Sequence, residues 1–258
     1  THLAEIEVEL GKPFKLIPFG DVHRDSDMHA DSHWKEFLAY AKAQKNALFF
    51  GMGDYTDGVS TSERIVLSDS HLHETTKSTL SDVYKGVSKQ LYNELSFMKG
   101  RLVGMLGGNH YFDFGDGNTT DHLLAAALGT KFLGVCSFVR LALRFKGRSK
   151  GACQSLDIFA HHGRGGGQLL GSTFNTIEKM STTDDADFYL MGHDHKKGCI
   201  PSSPRLKLVK APNGDLKVRE RTPWLGRTGS FLKAYEPGRI SYNVDARRTA
   251  SAQGWIDI

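Results

Sequence analysis

The chain is 258 residues long, 39% apolar and 24% charged, which fits one folded domain and excludes a disordered or collagen-like chain. No run approaches the roughly 18 consecutive apolar residues of a membrane helix, and Thr1-His2-Leu3 opens no leader segment, although the missing Met leaves a removed one open. The three cysteines, Cys136, Cys153 and Cys199, are too few and odd in number for a disulfide framework, which points to a reducing, cytoplasmic compartment and to buried, inert thiols.

The net charge of +4 conceals an asymmetry. Residues 196–258 hold 13 Lys/Arg against 5 Asp/Glu, whereas the preceding 195 residues hold 20 against 24. A basic C-terminal part beside an acidic body suits a polyanionic partner, and it equally suits a merely solvated basic surface.

In chain order, Phe14–Phe19 reads as a strand that runs into Gly20-Asp21. His33–Lys45 sets Trp34, Phe37, Leu38 and Ala41 at i, i+3, i+4 and i+7, which predicts an amphipathic helix. Ala47–Phe50 is a second strand, ending at Gly51-Met-Gly-Asp54. Residues 58–75 are polar and read as a surface loop. A helix follows over about Lys77–Lys99, on the spacing of Leu80, Val83, Val87, Leu91 and Leu95. Arg101–Leu106 is a third buried strand, closing on Gly107-Gly-Asn-His110, and Thr120–Leu128 is a short helix capped near Thr119 or Thr120. Phe138–Phe145 and Ser155–Ala160 read as strands, the second ending at His161-His162-Gly163. A helix near Phe174–Met180 precedes the strand Asp187–Met191, which delivers Gly192-His-Asp-His195. From about residue 196, Pro201, Pro204, Pro212 and Pro223 punctuate a strand- and loop-rich remainder. Strands alternating with helices predict an α/β fold in a single domain over residues 1–258.

Five times an apolar run stops and immediately delivers Asp, Asn or His. The segments are Asp21-Val-His23, Gly53-Asp54, Gly108-Asn109-His110, His161-His162 and Gly192-His193-Asp194-His195. Carboxyl ends of strands converge on the ligand crevice of α/β sheets, so the five are candidates for one site. Carboxylate, amide oxygen and imidazole without thiolate suit Mn²⁺, Fe or Zn²⁺. The single-residue gaps in Asp-x-His and His-x-His set both side chains on one side of an extended chain.

This ordered set, Asp-x-His, Gly-Asp, Gly-Asn-His, His and Gly-His-x-His from Asp21 to His195, resembles the calcineurin-like metallophosphoesterases. The resemblance implies a four-layer αββα sandwich of two mixed β-sheets flanked by helices, with the site at the strand C-terminal ends. It implies two divalent metal ions, Mn²⁺ first, with Fe or Zn²⁺ as alternatives. Asp21, His23 and His195 would hold one ion, and Asn109, His161 and His193 the other, with Asp54 bridging. His161, which follows its strand directly, is taken ahead of His162. His110 would face the substrate, binding phosphate or protonating the leaving group. Two such ions acidify a water, and hydroxide attack on phosphorus follows; catalysis then rests on Asp54 and His110.

Several residues lie outside this pattern. Tyr111 stands where many relatives carry Asp or Glu, and Asp113 or Asp116 is expected to supply the missing carboxylate. Asp57 matches an Asp common in relatives, whereas Gly58 stands where the Ser/Thr protein phosphatases of that family carry Arg. Arg164, in the Gly-rich stretch after His162, Arg24 beside His23, and Tyr111 are candidate substrate contacts, the last by stacking on a base together with Phe112 and Phe114. His71 and His73 form a further His-x-His in the polar stretch, without a strand before it.

The expected activity is hydrolysis of a phosphodiester, with DNA, RNA or a nucleotide as partner and no membrane. The alternatives are a phosphomonoesterase for a small metabolite and a non-catalytic interaction module of the same fold.

Overall fold

The strands expected before Asp21, Asp54 and Asn109 form one parallel sheet in this computed structural model, which describes residues 1–69, 72–147, 153–165, 167–239, 241–245 and 247–258. In chain order the elements are β1 (His2–Val8), β2 (Lys15–Phe19), α1 (Asp31–Ala43), β3 (Ala47–Gly51), α2 (Thr61–Asp69), α3 (Glu74–Leu95) and β4 (Leu102–Met105). There follow α4 (Thr120–Ala127), β5 (Cys136–Phe145), β6 (Cys153–His161), α5 (Leu170–Thr183), β7 (Phe188–Met191), β8 (Lys197–Pro201), β9 (Arg205–Lys210), β10 (Leu216–Arg221), β11 (Trp224–Thr228) and α6 (Tyr242–Asp245).

The fold is mixed α/β. One sheet has the order β2-β3-β4; a second is mixed, with the order β1-β5-β6-β7-β11-β8; β9 and β10 form a separate two-stranded ribbon. Alternation along the strands decides what each face meets. Ile17, Phe19 and Phe49 turn toward α1, α3 and α4, in one cluster with Trp34, Phe37, Leu91, Leu95 and Leu124. Leu16, Phe50 and Val103 turn the other way and share a cluster with Val139, Leu141, Leu143, Ile158, Ala160 and Leu190 of the large sheet. Phe174 and Ile177 of α5 cover Tyr189, Met191 and Leu225 in a third cluster. Burial of such aliphatic and aromatic side chains, at about 25 cal/mol per Å², is the main force fixing the strand ends relative to one another. Backbone bonds add to it. Leu16 and Ile258 exchange N–H···O bonds of 2.8 and 2.9 Å, and Phe231 N–H donates to Asp21 O at 2.9 Å.

The structure corrects several expectations. Residues 58–75 are not all loop, because α2 is held by a capping box: Ser60 N–H donates to Glu63 Oε2 (2.8 Å) and Glu63 N–H to Ser60 Oγ (3.4 Å). β1 was not foreseen, although Ala4, Ile6 and Val8 alternate with Glu5 and Glu7 and pack against the cluster between the sheets. All three cysteines are exposed rather than buried, since Cys136 and Cys153 open the strands of one hairpin and Cys199 lies on the edge strand β8. Val83 is 54% exposed because only the second half of α3 packs on the sheet. Among the described residues no helix is long and apolar enough to cross a membrane.

Candidate metal centre

The polar segments occupy the turns after β2, β3, β4, β6 and β7. Three backbone bonds join the first two turns: Asp21 N–H to Gly53 O (2.9 Å), Val22 N–H to Asp54 O (2.7 Å) and His23 N–H to Asp54 O (3.1 Å). Asp21, His23, Asp54, His193 and His195 all have left-handed backbone, with φ between 45° and 71°; among the other described non-glycine residues only Arg247 shares it. That region is disfavoured for any residue with a Cβ, and surrounding structure must impose it. Gly108 is obligatory on the same grounds of crowding, since a Cβ there would stand 1.9 Å from Asp54 Oδ1.

The side chains form two groups that share no residue, Asp21–His23–His195 and Asp54–His162–His193, each with its ligand atoms within 4.8 Å of one another, and His23 belongs to a third such group with Asp57 and His110. Asp54 lies between them: its Oδ2 is 3.3 Å from His162 Nε2 and 3.8 Å from His23 Nε2. Its Oδ1 accepts the His110 backbone N–H at 2.8 Å. Asn109 Oδ1 lies 3.1 Å from His162 Nε2, which brings the amide to the second group. His195 Nε2 is 3.7 Å from Asp21 Oδ1, and Asp21 also accepts the His193 backbone N–H at 2.9 Å.

Hydrogen bonds on the far side of the rings set their tautomers. His162 Nδ1–H donates to Met52 O (2.8 Å), and His23 Nδ1 faces Asp57 Oδ1 (2.8 Å), so each ring keeps its Nε2 for the site. His23 Nε2 is buried without any hydrogen-bond partner.

Electrostatics divide the groups. Burial lowers the pKa of His162, but the charge and hydrogen bond of Asp54, with Asp21, outweigh it and raise it to about 10. Burial would raise that of Asp54, yet His162, His23 and His110 hold it below the usual carboxylate range. Burial, aided by the charge of Asp54, pushes Asp21 upward. His193 is pushed down to about 4 by burial and by the neighbouring His162. Metal-free, the site therefore centres on a proton held by His162 against the Asp54 carboxylate.

The structure brings His162, not His161, to Asp54, Asn109 and His193, and the choice of His161 is corrected. The reason is strand parity: Ile158, Ala160 and His162 are buried in phase toward the small sheet, whereas His161 is in phase with Phe159. His161 Nδ1 accepts the Gly163 N–H at 2.7 Å, so its ring turns back on its own turn.

His110 lines the cleft over the two groups, and its Nδ1–H donates to Asp57 O at 2.6 Å. The cleft encloses about 760 Å³, and its lining includes Lys196, Lys233 and Arg248 together with Asp27, Asp57, Glu63 and Asp194. The three substrate candidates stand elsewhere. Arg24 is committed to Glu94, at 3.0 Å between Nη2 and Oε1. Tyr111 lies beneath the Arg64 guanidinium, 3.7 Å from its ring centroid, and does not line the cleft. Phe112 stacks on Tyr84 and meets Phe114 edge-on. Arg164 is exposed on the Gly-rich turn, of which Gly165 and Gly167 reach the cleft instead. Asp113 and Asp116 close their own turns through Gly115 N–H and Asn118 N–H, and Asp57 supplies the orienting carboxylate. His73 caps α3, and His71 lies outside the described residues.

Three supporting residues escaped the sequence reading. Arg64 Nη1 holds Asn109 O (2.9 Å) and Tyr111 O (3.3 Å). Asp121 Oδ2 accepts the Gly108 N–H at 3.0 Å. Arg227, 2% exposed, donates to Gly192 O (3.2 Å) and pairs with Asp194 Oδ2 (3.3 Å) behind the two histidines. None has a spacing signature, because each reaches the site from a distant part of the chain. Neither a comparison with protein-family models nor one with curated proteins returns a match.

Proposed function

We propose that this chain is a dinuclear-metal-dependent phosphodiesterase of the calcineurin-like type, acting on nucleic acid or nucleotides. The observation that carries the reading is Asp54, whose Oδ2 stands 3.3 and 3.8 Å from imidazole nitrogens of two separate three-donor groups. The unpartnered, buried Nε2 of His23 fits a ligand to a cation, and the thiolate-free donors suit Mn²⁺ first, then Fe or Zn²⁺. Asp21, His23 and His195 would hold one ion and Asn109, His162 and His193 the other, with Asp54 between. The four-layer αββα arrangement belongs to the same proposal and is supported by the three apolar clusters, one between the sheets and one against helices on either side.

When bound, two divalent cations supply Lewis acidity that acidifies water and offsets phosphoryl charge. The chain's own part is orientation. Asp57 fixes the tautomer of His23, and Asp54 anchors the backbone of His110. Nδ1–H is committed to Asp57 O, which leaves Nε2 of His110 for the cleft: the neutral ring can accept a proton there, and only the imidazolium, protonated on both nitrogens, can donate to a phosphoryl or leaving oxygen.

A diester is favoured over a phosphoprotein by Gly58, which lines the cleft at φ +46°; a Cβ there would meet Thr56 Oγ1 at 3.1 Å and Tyr111 Cα at 3.2 Å, so an Arg is unwelcome. The test is a panel with Mn²⁺ comparing bis-p-nitrophenyl phosphate, p-nitrophenyl phosphate, cyclic nucleotides and DNA. The diester should turn over faster than the monoester, and Asp54→Ala should abolish both. Absence of turnover with Mn²⁺, or a preference for the monoester, would overturn the reading.

A further inference from the structure

We propose that the β9–β10 ribbon is a dimerisation element, its apolar face packed on the same face of a second copy of this chain. The two strands pair only with each other. Alternation sets Leu206, Leu208 and Lys210 on one face with their cross-strand partners Glu220, Val218 and Leu216. The four aliphatic side chains are between 62% and 72% exposed. On the opposite face Arg205 and Arg221, at one end of the ribbon, reach the body, both at Asp185, while Lys207, Lys217 and Arg219 are exposed. An isolated two-stranded ribbon is marginal in water, and one that holds a contiguous aliphatic face outward needs a cover.

The charges on that face select the occupant. Lys210 and Glu220 stand at opposite ends, flanking the central Leu208–Val218 pair. A two-fold axis perpendicular to the strands through that pair brings each Lys210 beside Glu220 of the other copy. The result is an apolar centre with two ion pairs at its rim, the usual anatomy of an isologous interface. An axis along the strands would set Lys210 against Lys210 instead. Nucleic acid would engage Lys207, Lys217 and Arg219 on the other face and leave the aliphatic face in water. The ribbon buries on the order of 500 Å² per chain, the small end of specific interfaces, so dissociation in the micromolar range is expected. The inference does not depend on the reading of the metal site.

Sedimentation equilibrium of the full chain tests it. The wild type should be a dimer that dissociates on dilution through the micromolar range. Leu208→Asp should be monomeric with unchanged far-ultraviolet circular dichroism, because the side chain lies outside the core. Lys210→Glu and Glu220→Lys should each weaken the dimer, and the double reversal should restore it, since both partners change sign together. A wild-type monomer, whether free or bound to nucleic acid through this ribbon, would overturn the proposal. So would a dimer indifferent to Leu208→Asp, or a double variant no tighter than its singles.

Discussion

His162 Nε2 and Asp54 Oδ2 face each other at 3.3 Å, both side chains almost wholly buried, and this pair governs the metal-free site. His162→Ala should remove one three-donor group. Loss of activity should be at least about 100-fold, because even the partners that merely orient ligands are worth 10–100-fold. His161→Ala should stay within about twofold, as expected for a residue outside the site. Metal content by mass spectrometry and diester turnover separate the two variants; equal losses would contradict the parity argument.

The same pair predicts how metal uptake depends on pH. The His162 pKa is raised to about 10 from 6.5, so the stability it lends the metal-free protein is complete below 6.5 and lost as pH rises through about 10. A cation must displace that proton. Mn²⁺ affinity should therefore climb by about tenfold per pH unit below about 10, with proton release on binding. Titration calorimetry in buffers of different ionisation enthalpy reads the proton directly. A pH-independent affinity would remove His162 from the ligand set.

Asp121 gives an independent pH signature. Its carboxyl is raised to about 7 from 3.8, first by burial and then by the charge of Asp54, against the pull of the Gly108 N–H. A raised carboxyl stabilises the fold fully below 3.8 and loses that contribution as pH climbs through about 7. Asp121→Asn cannot ionise. The Tm of metal-free wild type minus that of the variant should fall between pH 4 and 7, and a flat difference would refute the shift.

Arg227 has its charge buried against Asp194, with remaining donors on Gly192 O and Thr173 O. Arg227→Met strands the Asp194 carboxylate and should cost about 3–5 kcal/mol in urea unfolding. Adding Asp194→Asn should recover part of that loss, because the stranded charge disappears. No recovery would mean that Arg227 acts through packing alone.

The strands β2, β3 and β4 and the helices α1 and α4 were legible because apolar runs and helical spacing report burial locally. The convergence of Asp21, His23, Asp54, Asn109, His193 and His195 was legible for the same reason, since each follows a strand. His162 was legible in principle, had the phase of Ile158 and Ala160 been carried one step past the strand. So was α2, from Ser60-x-x-Glu63. Arg64, Asp121 and Arg227 were not legible. Their roles depend on which backbone carbonyls and amides tertiary packing brings within reach, and no local pattern encodes that. The basic excess of residues 196–258 was visible, but part of it answers acids earlier in the chain: Arg205 and Arg221 take Asp185, Arg227 takes Asp194 and Arg239 takes Asp27.

Asp21, an early residue of the site, has its backbone carbonyl held by Ser230 Oγ at 3.1 Å and by Phe231 N–H at 2.9 Å, across 209 residues of sequence in the first case. During synthesis the segments carrying Asp21, Asp54 and Asn109 emerge long before the residues that hold this turn in its left-handed geometry. Contacts of such sequence separation form late and slowly. The nascent chain thus exposes acids and histidines that are not yet gathered, and their convergence must wait until the stretch around Phe231 has folded onto the turn after β2.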